Sequence, residues 1–183
     1  MNSVIKQSLQ GLLLCLGGLT FAAQAVDGTI KTKVKFIQFT CNLTAASKNM
    51  SVPLGEINRS QLAKKGDRSP QVFFELKATG CPTTSEDAYA TLAFSGTAPP
   101  EDGTAFVLSK DSMALGIAVK IANSGYSGNY DYFITPNYKH GREGRPNSDG
   151  EITFKYAAQY VALNDNVTPG TANLTTQIDL YYW

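Results

Sequence analysis

Side chains capable of chemistry are few and scattered in this chain of 183 residues. The single histidine, His140, lies in YKHGREGRP, where it could act as a base. A general base needs a nucleophile or substrate proton within hydrogen-bond reach, and no G-x-S-x-G or comparable nucleophile motif lies nearby. A solvated loop histidine is the plainer expectation. The same loop holds Lys139, Arg142 and Arg145, which could bind an anionic glycan. Glu143 and Asp149 interrupt that positive charge, so a solvated loop is expected instead. Glu86-Asp87 and Glu101-Asp102 are adjacent pairs in turn-rich sequence, not opposed carboxylates. Neither pair has the spacing of a metal-binding loop. No catalytic constellation emerges, and no enzyme activity, metal or cofactor is expected.

What remains is sulfur. Cys15 lies in the apolar run GLLLCLGGLTFAA, with Lys6 before it and Ala23-Gln24-Ala25 after it. That pattern predicts a secretory signal peptide over residues 1–25, too short and wrongly flanked for a transmembrane helix. Leu13, Leu14 and Leu16 around Cys15 are not the small residues that lipoprotein processing prefers. Removing the leader leaves Cys41 and Cys81. An even pair in an exported chain predicts a disulfide, and a metal site would need more ligands than one histidine supplies. Closing a loop of roughly 40 residues would stabilise the fold by about 4 kcal/mol on the chain-entropy account.

The remaining chain, about 158 residues, suits one domain with a single core. Loss of Lys6 leaves 15 Lys+Arg against 15 Asp+Glu. Such a balance provides no long-range attraction to nucleic acid or an acidic membrane, so no nucleic-acid partner is expected.

The elements that would carry these residues read as strands, because the apolar period is two. QVFFELK places Val72, Phe74 and Leu76 on one face, and YATLAF (89–94) is a short candidate. ALGIAVKIA aligns Leu115, Ile117, Val119 and Ile121, and YDYFI covers 130–134. ITFKYAAQYVA aligns Ile152, Phe154, Tyr156, Ala158 and Tyr160. KKGDRSP, GTAPPEDGT, NSGYSGN, PNYKHGREGRPNSDG and NDNVTPG separate these runs with turn-forming residues. Sustained helical periodicity, repeats and linkers are absent, which reads as an all-β sandwich.

Both ends of the predicted mature chain carry unusual strands. In GTANLTTQIDLYYW, the row Ala172, Leu174, Thr176, Ile178, Leu180 and Tyr182 alternates with more polar positions almost to Trp183. Terminal residues usually fray, so this row is expected to be held by something. In VDGTIKTKVKFIQFTC, the row Ile30, Thr32, Val34 and Phe36 lies opposite Lys31, Lys33 and Lys35. The apolar phase then shifts to Ile37, Phe39, Cys41 and Leu43. A one-residue slip exchanges the faces of a strand, so 26–36 reads as an arm separate from the domain's first strand.

Taken together, GTIKTKVKFIQFTC, VPLGEI, FFELKATGC, GIAVKI, FKYAAQYVA and the tyrosine-rich ending resemble a chaperone–usher pathway fimbrial subunit of the type 1 kind. The resemblance implies an incomplete immunoglobulin-like β-sandwich lacking its final strand, with an N-terminal donor-strand extension. It divides the chain into a leader (1–25), a donor arm (26–36) and a pilin domain (37–183). Ile30, Thr32, Val34 and Phe36 would then fill a neighbour's groove, bordered there by the terminal row from Ala172 to Tyr182. A periplasmic chaperone would fill that groove first, until donor-strand exchange at an outer-membrane usher replaced it.

The product would be a homo- or hetero-polymeric fimbria at the cell surface, supporting adhesion. The alternative role is a minor or adaptor subunit with a receptor-binding face; the sequence leaves room for a host receptor without specifying one. Family arms commonly carry glycine where this chain has Val34, which implies a wider acceptor groove.

Overall fold

Alternation along VFFELKAT translates directly into burial. Phe73, Glu75 and Lys77 are exposed, whereas Leu76 and Ala78 are buried and Val72 and Phe74 half-buried. The computed structural model describes residues 41–83, 88–124, 132–141 and 143–182. The leader, the arm with Ile30, Thr32, Val34 and Phe36, and also Glu86, Asp87, Arg142 and Trp183 lie outside the described residues.

Six strands are formed by the described residues: β1 Asn42–Leu43, β2 Val72–Thr79, β3 Ala90–Phe94, β4 Ile117–Asn123, β5 Ile152–Ala162 and β6 Ile178–Tyr182. They make an antiparallel four-stranded sheet in the order β1-β2-β5-β4 and an antiparallel pair, β3-β6. Register places Phe74 opposite Tyr156, Val119 opposite Tyr160 and Leu92 opposite Leu180. Leu76, Leu92, Phe94, Val119, Ile121, Phe154 and Tyr156 form the core. Phe94 meets the Tyr156 ring edge-on at 5.1 Å, a favourable aromatic arrangement.

β5 begins with one buried face, Ile152 and Phe154, but from Tyr156 to Ala162 both faces are covered. The outer face of β4 and β5 packs Ala118 and Val161 against Ala105. Lys120 is buried there as well, with its ammonium 2.6 Å from Asp102 Oδ2 and 4.1 Å from the centre of the Phe133 ring. This cover explains why simple alternation fades along β4 and late β5.

β1 is short for a local reason. After Leu43, Thr44 caps the four-residue helix α1 (Ala45–Lys48), its Oγ1 accepting the Ser47 N–H. Ser47 Oγ in turn accepts the Lys77 N–H at 2.8 Å, where a longer β1 would supply a backbone partner. The chain then turns through a capped 3-10 helix, Arg59–Leu62, before β2.

Three local expectations need correction. Leu115 does not continue the inward row of β4. Gly116 takes φ 77°, a left-handed conformation suited to glycine, and a Cβ there would lie 3.0 Å from Asn164 Oδ1 and the Asn166 carbonyl. Leu115 therefore turns outward and is 63% exposed. Of the expected strand 130–134, residues 130–131 lie outside the described residues, and within 132–134 Phe133 forms an isolated bridge to Ala122.

His140 is buried, not solvated. Its Nε2 accepts the Thr135 N–H at 2.8 Å, and Tyr132 and Tyr138 meet the ring edge-on. Burial lowers its pKa from the ordinary histidine value, the backbone of Thr135 opposing only in part.

Candidate functional site: a groove beside the C-terminal segment

Along residues 171–177 the backbone alternates in what it faces. The Thr171 carbonyl accepts from Met113 and Ala114, the Asn173 carbonyl from Ser109, and the Gln177 carbonyl from Ser95. The Asn173 and Thr175 amides donate to Ser112 Oγ and Ser109 Oγ. These odd-numbered residues turn their backbone groups toward the 95–114 side. In extended chain the intervening residues point the other way, so Leu174 and Thr176 present theirs to the opposite side.

A groove of about 1060 Å³ lies on that side. Ala172, Leu174, Thr176 and Ile178 form one wall, while Leu43, Val52 and Leu54 belong to the other. Leu76, Phe94, Val119, Ile121 and Tyr160 underlie it. Tyr160 secures one end, its hydroxyl donating to the Ala172 carbonyl at 2.7 Å. Thr176 Oγ1 donates to the Ser95 carbonyl at 2.6 Å, holding the same wall further along. Charged groups sit at the margins: Asp111, Asp179 and Lys48.

This geometry suits an extended segment whose backbone pairs with Leu174 and Thr176 and whose alternate side chains enter the core. Four residues of the predicted row, Ala172, Leu174, Thr176 and Ile178, line the groove. Leu180 continues the half-buried face opposite Leu92, and Tyr182 pairs with Ala90 and is 42% exposed. The Val52–Leu54 wall was not anticipated as part of the site. Its alternation is visible in SVPLGEI, but Pro53 and Gly55 disguise it as a turn.

Cys41 and Cys81 are joined by a disulfide at the end of the sheet where β1 begins and β2 has ended. Both are buried, so the bond anchors the chain at the point where the preceding segment joins the domain.

Asp102, Glu143, Lys139 and Arg145 have structural partners. Burial raises the Asp102 carboxyl, but hydrogen bonds from Lys120 and Thr104 and the charge of Lys120 bring it below its ordinary value. Burial raises the pKa of Glu143, opposed in part by the Tyr156 hydroxyl 2.5 Å from its Oε2. The loop carrying Glu143 is thus partly internal. Lys139 lies over the Tyr181 ring at 3.7 Å and Arg145 over Tyr89 at 4.9 Å, which directs these cations to separate rings. Among the described residues, no group of three His, Cys, Asp or Glu is placed to hold a metal ion, and no helix is long and apolar enough to cross a membrane.

A family model described as "Fimbrial protein" matches residues 26–183. The chain is 35% identical over 145 residues to the fimbrial-like protein FimF of Salmonella typhimurium, covering 79% of this chain and 77% of that one. It is 29% identical over 170 residues to the probable major fimbrial subunit LpfA of Escherichia coli O157:H7, covering 93% and 92%. A solved chaperone–usher pilus structure matches with a TM-score of 0.63 at 18% identity, covering 85% of this chain and 95% of its own.

Proposed function

This chain belongs to the fimbrial protein family, and from that premise we propose that it polymerises by donating residues 26–36 to the groove of an adjoining subunit. It is a structural fimbrial subunit with an incomplete immunoglobulin-like sandwich. The groove beside residues 172–179 carries the proposal. An extended segment added there is an instance of strand addition at a sheet edge.

Length and charge support the arm as occupant. At about 3.4 Å per residue, Ala172 to Asp179 spans about 27 Å and Ile30 to Phe36 about 24 Å. Antiparallel addition, the sense of every strand pairing described, brings Ile30 near Ile178, Thr32 near Thr176, Val34 near Leu174 and Phe36 near Ala172. Lys31, Lys33 and Lys35 then point away from the core, with Asp111 and Asp179 at the groove margins. A fully buried aliphatic or aromatic donor side chain contributes about 1.5–3 kcal/mol, and Thr32 less.

An apolar edge left open is an aggregation hazard. A periplasmic chaperone supplying a temporary strand, followed by exchange at an outer-membrane usher, would protect the groove until assembly. The resulting location is a surface fimbria. The test is deletion of 26–36 in cells that otherwise produce the fimbria. The truncated subunit should reach the periplasm disulfide-bonded yet form no fibres through its own arm. Normal fibres of the deletion protein by electron microscopy would overturn the proposal.

A further inference from the structure

Charge is unevenly placed around the groove. Asp111 and Asp179 line it beside the terminal segment, whereas Lys48 belongs to the opposite wall. Asp179 lies on β6, one residue beyond Ile178, and is exposed. Asp111 is exposed too and sits beside Asn173, whose Nδ2 donates to its Oδ2 at 3.4 Å. Among the described residues neither carboxylate is in an ion pair. The outward positions between them, Asn173, Thr175 and Gln177, are uncharged. From Asn173 to Asp179 the extended chain covers about 20 Å, so an incoming strand meets carboxylates near both ends of its outer face.

The arm carries the complementary charge. With its apolar row turned into the groove, Lys31, Lys33 and Lys35 share the outer face. Setting Ile30 near Ile178 brings Lys35 beside Asn173, the residue that contacts Asp111. The same register brings Lys31 beside Gln177, diagonal to Asp179. Direct and diagonal neighbours on one face of a sheet lie about 5–8 Å apart, where opposite charges stabilise the pairing. Lys33 faces Thr175 and meets neither carboxylate.

The smallest slip that keeps the apolar row inward is two residues. A slip in one direction puts Lys31 beside Thr175 and leaves Asp179 without a lysine neighbour. The opposite slip puts Lys35 beside Thr175 and leaves Asp111 without one. Only the register that sets Ile30 near Ile178 serves both aspartates.

We propose that Asp111 and Asp179 set the register of the incoming strand and select one with cations near both ends of its outer face, the arm of a second copy of this chain. This inference rests on the donor-arm reading and deepens it from occupancy to choice of partner. Lys48 repels the same lysines from the opposite wall, which favours their lean toward the aspartates. An arm with acids at those places meets like charge instead, a repulsive element against the wrong donor.

Synthetic peptides of residues 26–36 test this against the full chain purified from the periplasm in its native complex, with displacement of the bound strand as readout. Lys31→Gln and Lys35→Gln should each weaken the peptide about threefold, the scale of one exposed ion pair. Lys33→Gln should weaken it by less than about twofold. In the subunit, Asp111→Asn and Asp179→Asn preserve side-chain shape, and Asp111→Asn keeps an acceptor for Asn173. Double-mutant cycles then assign the partners. Lys35 should couple to Asp111 and Lys31 to Asp179, while the crossed combinations add independently. Salt at about 1 M, where the screening length is about 3 Å, should erase both couplings.

A native peptide that binds without coupling in either cycle, or with coupling only in the crossed pairs, overturns the register device and leaves the arm reading intact. Failure of the native peptide to bind the wild-type subunit overturns both readings.

Discussion

The Tyr160 hydroxyl donates a 2.7 Å hydrogen bond to the Ala172 carbonyl, fastening the central sheet to the wall of the groove. Tyr160 lies on β5 and Ala172 in the extended segment before β6. The bond therefore ties one wall of the groove to the sheet beneath it. Tyr160→Phe retains the ring and removes only the hydroxyl. It should lower stability by about 1 kcal/mol, the net value of one such bond, and weaken capture of an incoming strand. Thermal unfolding and strand-displacement kinetics of the purified complex check both effects. An unchanged Tm with unchanged displacement would show that the wall needs no such tie.

Leu174 and Leu180 occupy the same alternating face but different surroundings. Leu174 lines the groove, whereas Leu180 lies opposite the fully buried Leu92 and beyond the lining. Leu180→Asp places a carboxylate against the subunit's own core, at a cost of several kcal/mol unless it is protonated. It should therefore lower the periplasmic level of the subunit. Leu174→Asp should instead impair strand capture most strongly. Immunoblotting of periplasmic extracts and co-purification with the proposed chaperone distinguish the two outcomes. Normal accumulation and normal complex formation by both variants would contradict the assignment of this row.

Glu143 provides a test by pH. Burial raises its pKa in the folded protein, with the Tyr156 hydrogen bond opposing that rise. Its favourable contribution is complete below the unfolded value of about 4.3 and declines as pH rises through the folded value. Glu143→Gln leaves a neutral side chain at every pH. Relative to this variant, the wild type should lose Tm as pH is raised from about 4 to about 8. A difference that is constant across that range would contradict the shifted carboxyl.

Much of this architecture was legible because one physical pattern governed it. The runs at 72–76 and 152–156 alternate between core and water, and β2 and the first half of β5 follow them. Leu115 breaks the pattern through the left-handed Gly116, whose effect on direction is invisible to an alternation rule. His140 escapes a sequence reading because its burial comes from Tyr132, Tyr138 and the backbone of Thr135, contacts made by the folded loop.

The groove was half legible. Its C-terminal wall follows directly from the alternation between Ala172 and Ile178. Its opposite wall required knowing that α1 interrupts β1 and that Ser47 takes the Lys77 amide, a contact between residues 30 positions apart. The Lys120–Asp102 ion pair under Phe133 likewise depends on tertiary placement, since a lysine inside a strand ordinarily signals a solvent face.

The most direct measurement joins the arm to the groove between subunits. The proposed antiparallel register brings Thr32 of one copy beside Thr176 of the next, within the distance of cross-strand neighbours. Thr32→Cys combined with Thr176→Cys should produce a ladder of covalent oligomers on non-reducing gels of isolated fimbriae, collapsing to monomer on reduction. Either substitution alone should produce no ladder. The contradicting result is fibres that assemble normally yet yield only monomer when Thr32→Cys is combined in turn with Leu174→Cys, Thr176→Cys and Ile178→Cys; the arm would then not be donated to this groove.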